Sequence, residues 1–291
     1  MARTWKSILE LGGKYLADRG VPEAELAMEL AMGRLLKCGR GFLAPYLSEE
    51  PAERYVEAMR RAVARLAKGE PIQYVLGEWD FRSLTLSCDK RALIPRPETE
   101  ELVTRVLKFL GGYRPQSGSA APPLVVDVGT GSGCIALSLA AEHPGPLYLG
   151  VDISEDALSL ARENAERTGL ADRVRFALGD GLDDFDEPGS VDVIVSNPPY
   201  IATAECARLD PRIARHEPML ALDGGPQGLD FYERLVGDAM NLLKPGGAVF
   251  FEIGEDQGEA LRQLLFEGGF ESIAIEKDYA GHDRYASGVL P

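Results

Sequence analysis

The sequence predicts an α/β fold with a mostly parallel sheet, preceded by a small N-terminal helical bundle. Three observations carry this. From Leu124 onward, short apolar runs alternate with helical stretches at the spacing of βαβ units. Before residue 70, apolar residues recur at helical spacing. The chain has 291 residues, more than the common single-domain size, which leaves room for both parts. The expected domains are 1–70, helical; 71–93, a β-hairpin linker; and 94–291, the α/β domain.

Within residues 4–68, Ile8, Leu9, Leu11, Tyr15 and Leu16 mark a first helix. The run Asp18-Arg19-Gly20-Val21-Pro22 breaks it, and Pro22 can open a second helix over Ala24–Leu36. Ser48 is the expected N-cap of a third, with Glu49 and Glu50 in its first turn. These stripes read as the core of a bundle and carry no evident chemistry. Tyr74-Val75-Leu76 and Leu84-Thr85-Leu86 look like two short strands of a hairpin. A helix follows over Thr99–Leu110, then an exposed loop rich in Gly, Pro and Ser over residues 111–123.

The α/β pattern begins with an apolar run, Leu124–Val128, a Gly-rich turn and a helix from about Cys134. Leu147–Val151 is a second run ending at Asp152, and Ser154 can cap the helix Glu155–Arg167. Val174–Leu178 and Val191–Val195 are further strands. A helix over Phe231–Leu243 stops at Lys244-Pro245-Gly246-Gly247; strand Ala248–Ile253, helix Gln257–Glu267 and strands Ser272–Glu276 and Tyr285–Leu290 complete the chain. Ligands of such sheets bind at the carboxyl ends of the strands, and each notable motif falls at one.

Composition narrows the function. The formal charge is −15, unevenly distributed: residues 1–70 carry 12 basic and 10 acidic side chains (+2), residues 71–291 carry 19 and 36 (−17). That balance argues against a broad phosphate-binding surface and against anionic membranes. Cys38, Cys88, Cys134 and Cys206 form no CxxC pair, and His143, His216 and His282 are scattered. Neither a zinc site nor a disulfide framework is expected, and a reducing compartment fits. No apolar run reaches the ~18 residues of a membrane span, and the first twenty residues lack the apolar core of a secretory signal. A cytoplasmic protein is expected.

The loop Asp127 to Cys134, DVGTGSGC, sits between strand and helix. Gly129, Gly131 and Gly133 permit steep turns and close approach to a ligand, and the helix start offers free N–H donors. The spacing is G-x-G-x-G, not the dinucleotide G-x-G-x-x-G, and no G-K-[ST] follows. The loop has no Lys or Arg. A nucleoside joined to a zwitterionic amino-acid moiety fits better than a phosphate ligand. Asp152 stands near the ~20-residue interval at which an acid accepts from ribose hydroxyls, or it caps the next helix. Asp180 either accepts from an adenine amino group or caps a turn.

Ser196-Asn197-Pro198-Pro199-Tyr200 follows the fourth strand of this domain. The Asn197 side-chain oxygen and a proline carbonyl are acceptors, and the two prolines bring no N–H. Two acceptors aimed at one planar amino group hold both its protons and turn its lone pair outward. Tyr200 can pack flat on an amide or base.

With these residues in view, the chain resembles the HemK/PrmC-type family of release factor glutamine methyltransferases. The matching segments are Ile94–Val103 (IPRPETEELV), Asp127–Ala140, Val151–Ala165, Ser196–Ile201, His216–Leu235 (HEPMLALDGGPQGLDFYERL), Glu252–Gly258 and the late KDYAGHDRY, together spanning essentially the whole chain. The resemblance implies a class I S-adenosylmethionine-dependent methyltransferase domain, Rossmann-like with a seven-stranded sheet, behind a helical substrate-recognition domain. It implies methylation of the side-chain amide of the glutamine in the GGQ motif of class 1 peptide chain release factors. By position, Gly129, Thr130, Gly131, Ser132 and Gly133 would line the methionine and ribose of the cofactor, Asp152 would bind the ribose, and Asp180 and Gly181 would lie by the adenine. Relatives often carry a bulky side chain where Gly181 stands; Leu182 could substitute. Asn197 would touch cofactor and acceptor, and Asn197, Pro198, Pro199 and Tyr200 would hold the amide. Arg96 and Glu98 either face the acceptor cleft or form an internal salt bridge.

Asn-Pro-Pro-Tyr also serves adenine-N6 nucleic-acid methyltransferases, which need a basic groove for a flipped base; the −17 half disfavours that. A ribosomal-protein glutamine is the other alternative within the family. The remaining expectations are no metal, no stable nucleic acid, no membrane, and a monomer.

Overall fold

Thr4 opens the first helix by accepting the Ser7 N–H at 3.3 Å, the computed structural model describing residues 3–114 and 121–291. The chain folds as two compact units, Met1–Glu78 with Asp210–His216, and Trp79–Leu209 with Glu217–Pro291.

In the first unit, α1 (Trp5–Ala17), α2 (Ala24–Leu36) and α3 (Glu53–Leu66) pack on Trp5, Leu16, Met28, Met32, Met59 and Leu66. Pro22 does not open α2; Glu23, in the left-handed region, precedes it. Nor does Ser48 cap α3. The carbonyls of Leu47 and Glu49 accept the N–H groups of Lys6 and Trp5, so the helix starts only beyond Pro51, with Ala52 as N-cap. Tyr74-Val75-Leu76 is helical: α4 (Ile72–Leu76) runs between Pro71 at its N-cap and Gly77, left-handed at φ +75°, at its C-cap. These two punctuating residues outweigh the strand propensity of Tyr and Val.

The first strand of the hairpin is therefore later than expected, β1 (Glu78–Phe81), while Leu84-Thr85-Leu86 is a strand as expected, within β2 (Leu84–Ser87). Its turn residue Arg82, at φ +52°, is pinned by Glu142 at 2.6 Å, Thr104 at 2.8 Å and the Glu100 carbonyl at 2.6 Å. Helix α5 (Pro97–Gly112) reaches into the expected loop, whose residues 115–120 lie outside the described residues.

Then follow β3 (Leu124–Val128), α6 (Cys134–Glu142), β4 (Leu147–Asp152), α7 (Glu155–Thr168), β5 (Val174–Leu178) and β6 (Val191–Ser196). The chain continues through α8 (Thr203–Cys206), α9 (Pro211–His216), α10 (Asp230–Leu242), β7 (Leu243–Glu252), α11 (Gly258–Glu267), β8 (Glu271–Lys277) and β9 (Asp283–Val289). The seven-stranded sheet has the order β5-β4-β3-β6-β7-β9-β8. It is parallel except for β9, which runs against both neighbours. Alternate strand residues feed two cores. Val125, Val193, Val195 and Phe250 meet α5 and α6, while Val126, Ile194, Val249 and Phe251 meet α10 and α11.

The order reverses between β3 and β6, and the crevice outside strand ends at such a switch point is where ligands bind. Register brings the two loops into step there: Val128 pairs with Ser196 and, on the other side, with Val151. The Ser196 hydroxyl ties the ends by donating to the Val128 carbonyl at 2.6 Å.

Candidate active site

The loop after β3 is bent by three glycines at φ +69°, +56° and +80°, Gly129, Gly131 and Gly133. The N–H groups of Gly129 and Thr130 donate to the Val151 carbonyl at 2.8 and 3.0 Å, fastening the loop to β4. Beneath it lies Asp127, fully buried. Its Oδ2 accepts from the Thr130 hydroxyl at 2.6 Å and the Ala136 N–H at 3.2 Å, while Oδ1 has no partner. Burial pushes this carboxyl up to about 7.

Asp152 ends β4 at the same level. It takes the Gly131 N–H at 2.8 Å on one oxygen and the Ser154 N–H at 2.9 Å on the other. Both carboxylate oxygens retain a lone pair for a ligand hydroxyl. Ser154 caps α7, accepting from Ala157 at 3.2 Å, so Asp152 is spared that duty.

Gly129, Thr130, Gly131, Ser132 and Asp152 line a cleft with Asn197 and Pro199, the segment Arg91–Arg96, Thr99, Gly179, Gly181, Pro218, Leu220, Ala221 and Phe231; Gly133, expected there, bends the loop and faces Leu137, Ala161 and Phe176 instead. The two arginines of the cleft are both neutralised. Arg91 is paired with Asp89 at 2.7 Å and Glu163 at 2.8 Å, Arg96 with Glu217 at 2.6 Å. Among the described residues no uncompensated cation invites a phosphate, and no histidine or lysine lines the cleft.

Asn197 donates through Nδ2 to the Thr99 hydroxyl at 3.0 Å, and Thr99 donates to Glu252 Oε2 at 2.7 Å. Among the described residues no group donates to Asn197 Oδ1. Pro198 is buried, and the ring of Tyr200 packs against the core under α10 without lining the cleft. Burial pushes the Tyr200 hydroxyl up to about 12.

The loop's backbone is gripped from the chain that follows α9. Ile201 N–H donates to the Leu222 carbonyl, and Gly224 N–H to the Ile201 carbonyl at 2.8 Å. A Cβ on Gly224 would lie 2.5 Å from the Pro199 carbonyl, and one on Gly228, at φ +71°, 2.2 Å from the Tyr200 carbonyl. These two glycines let backbone lie on backbone.

The expected adenine side is built otherwise. The Asp180 carboxylate pairs with Arg234 Nη1 at 2.7 Å and does not line the cleft. A Cβ on Gly181, at φ +64°, would meet the Arg234 guanidinium within 3.3 Å. Leu182 points into the hydrophobic core, 2% exposed, so it is no substitute beside an adenine. Glu98 is exposed and off the cleft. Arg96 lines the cleft while ion-paired inside the second unit.

Thr99, Glu252, Glu217, Arg234 and Phe231 were given no role from sequence. A signal for Glu252 exists: it is the one charged residue in the apolar run AVFFEI, and a lone charge in a buried strand needs a partner. Among the described residues no group of three or more His, Cys, Asp or Glu could hold a metal, and no helix is long and apolar enough to cross a membrane.

Comparison with known proteins identifies the family. Residues 7–77 match the family described as the PrmC N-terminal domain and residues 124–264 a family described as a methyltransferase domain. The chain is 39% identical over 277 residues to the release factor glutamine methyltransferase of Chlorobaculum tepidum, covering 93% of this chain and 92% of that protein. It is 41% identical over 272 residues to that of Moorella thermoacetica, covering 93% of each. Among solved structures, a methyltransferase from Pyrococcus furiosus, 21% identical, superposes with a TM-score of 0.50 over 78% of this chain and 96% of that one; that likeness is one of fold.

Proposed function

We propose, from the premise that this chain belongs to the family of release factor glutamine methyltransferases, that it methylates the side-chain amide nitrogen of the glutamine in the GGQ motif of class 1 release factors. The observation that carries this is Asn197: it lines the cleft one residue beyond the paired ends of β3 and β6, its Nδ2 is committed to Thr99, and among the described residues no group donates to its amide oxygen.

The cofactor is S-adenosylmethionine, and the residues present fit it. The glycine loop carries no cation, both cleft arginines are neutralised, and Asp152 keeps lone pairs for ribose hydroxyls. Gly129, Thr130, Gly131 and Ser132 would hold its methionine and ribose, with Gly133 bending the loop behind them; Gly179, Gly181 and Phe231 shape the remaining wall. When bound, it supplies a methyl group activated by the positive charge on sulfur.

The chain's own task is orientation. A glutamine amide nitrogen is a poor nucleophile because its lone pair is delocalised. Asn197 Oδ1 and the Pro198 carbonyl would accept its two N–H bonds, raising electron density on nitrogen and favouring pyramidalisation. Pro198 and Pro199, lacking N–H, keep that rim purely accepting. Tyr200, with its hydroxyl pushed up to about 12 and Gln257 holding its carbonyl at 3.0 Å, serves as a rigid support and not as a base. Cys134 is likewise inert, its thiol pushed up to about 12 by burial. Orientation and exclusion of water then carry the catalysis.

The enzyme would act as a monomer, in the cytoplasm, without stable nucleic acid; the acidic balance of residues 71–291 supports the last point. Incubation with S-adenosylmethionine and a class 1 release factor, then peptide mass spectrometry, should show one methyl group on the GGQ glutamine. A methylated ribosomal protein or adenine with an unmodified release factor would replace this reading.

A further inference from the structure

The Asn197 carboxamide has two ends of similar shape and opposite polarity. Only the oxygen end can accept from a substrate amide. Rotation by 180° would present an NH2 group to another NH2 group.

Thr99 lies in the first turn of α5, 2% exposed, with its hydroxyl between two partners: Glu252 Oε2 at 2.7 Å and Asn197 Nδ2 at 3.0 Å. A hydroxyl has one proton. Glu252, at the end of β7 and 2% exposed, takes it. What Thr99 then offers to Asn197 is a lone pair, which only the NH2 end can meet. Among the described residues, Thr99 is the hydrogen-bond partner of the Glu252 carboxylate. The cleft end of Asn197 is thereby left as oxygen.

We propose that Thr99 and Glu252 form a one-way buried relay that fixes the polarity of Asn197, with Thr99 a positioning residue for methyl transfer. This rests on Asn197 being the acceptor of the substrate amide. The relay also explains why a carboxylate is kept in an otherwise apolar strand. Burial pushes the Glu252 carboxyl up to about 7, so the relay is one-way above that pH, where the test is made: the ionised group only accepts and commits the Thr99 proton in one direction, which an amide or hydroxyl at position 252 would not do.

The test compares Thr99→Val, which keeps shape and removes the hydroxyl, with Thr99→Ser, which keeps the hydroxyl, in the full chain. Steady-state transfer from S-adenosylmethionine to a release factor gives kcat and KM. Calorimetry with S-adenosylhomocysteine gives cofactor-site affinity, and side-chain amide NMR follows exchange of the Asn197 NH2 protons. Thr99→Val should lower kcat about 10- to 100-fold, the effect of one buried hydrogen bond left unmade. KM and cofactor-site affinity should stay within about threefold, and the Asn197 NH2 protons should lose their protection. Thr99→Ser should restore both kcat and protection.

Parental kcat in Thr99→Val, or an equal loss in Thr99→Ser, overturns the relay. If Thr99→Val does not fold, Glu252→Gln takes its place. Its amide can present either end to Thr99, so kcat and Asn197 protection should both fall, and unchanged values refute the proposal. Should the parent enzyme modify no release factor, the substrate assignment fails separately, and the Asn197 protons alone decide the relay.

Discussion

Replacing Glu217 tests what holds the cleft wall. Its carboxylate is 5% exposed and accepts from the Ile94 N–H at 3.1 Å and Arg96 Nη2 at 2.6 Å. Hydrogen bonds to charged groups contribute about 1.5–3 kcal/mol each, so two give about 3–6 kcal/mol. The Arg96 side chain, 32% exposed, regains water in a truncated variant, whereas Ile94, 2% exposed, does not. Glu217→Ala should therefore cost about 3–4 kcal/mol. At about 2–4 °C per kcal/mol for a unit of this size, Tm should fall roughly 6–16 °C. Glu217→Gln keeps one acceptor oxygen and should lose about half as much. Thermal unfolding by circular dichroism reads the size, and hydrogen exchange at the Ile94 amide reads the place. A loss in Glu217→Ala below about 1 kcal/mol, with Ile94 still protected, would refute the reasoning.

Asn197→Ala should lower turnover by at least about 10³-fold while Tm moves by only a few degrees, since the side chain works on the cleft and not in the core; near-parental turnover would remove Asn197 from the chemistry. Gly228→Ala should destabilise by about 2–5 kcal/mol, combining a left-handed φ of +71° with a Cβ 2.2 Å from the Tyr200 carbonyl; calorimetry would detect it, and an unshifted Tm would contradict the backbone contact. Burial holds Asp127 at about 7 in the folded chain against an ordinary 3.8, so the native state binds this proton more tightly than the unfolded chain. The stability it contributes is complete below about pH 3.8 and lost as pH rises through about 7, on the order of 4 kcal/mol in all. Urea titrations across that range should show the slope in the parent and a flatter profile in Asp127→Asn; identical profiles would rule the residue out as its source.

Much of the architecture was legible because it rests on local signals. Apolar runs separated by helices gave the parallel sheet, and Ser154 was recognisable as a cap before Asp152 was seen free of that role. The first strand of the hairpin was misplaced because Tyr74 and Val75 have strand propensity, while Pro71 and Gly77 decide the backbone. Ser48 failed as a cap because its neighbours' carbonyls are taken by the start of α1. At the site, the two loops that follow β3 and β6 could be found from Gly and Pro alone. The supports behind them could not, since Thr99 and Glu252 are 153 residues apart and Ile94 and Glu217 are 123 apart. Such pairs have no periodicity. Arg234 on Asp180 was invisible for the same reason.

The pairing of Val128 with Ser196 at the strand ends has a consequence for how this enzyme tolerates length changes. Inserting or deleting one residue within Val191–Ser196 would displace Asn197 by about 3.3 Å and turn it to the opposite face of the sheet. It would remove the amide from the cleft without touching any cleft residue. The outer loops are free of this arithmetic, because added chain there is absorbed at little cost. Changes of substrate can thus arise through loop lengthening, while the spacing between the β6 start and Asn197 behaves as a fixed gauge, insensitive to side-chain identity and intolerant of a single extra peptide unit.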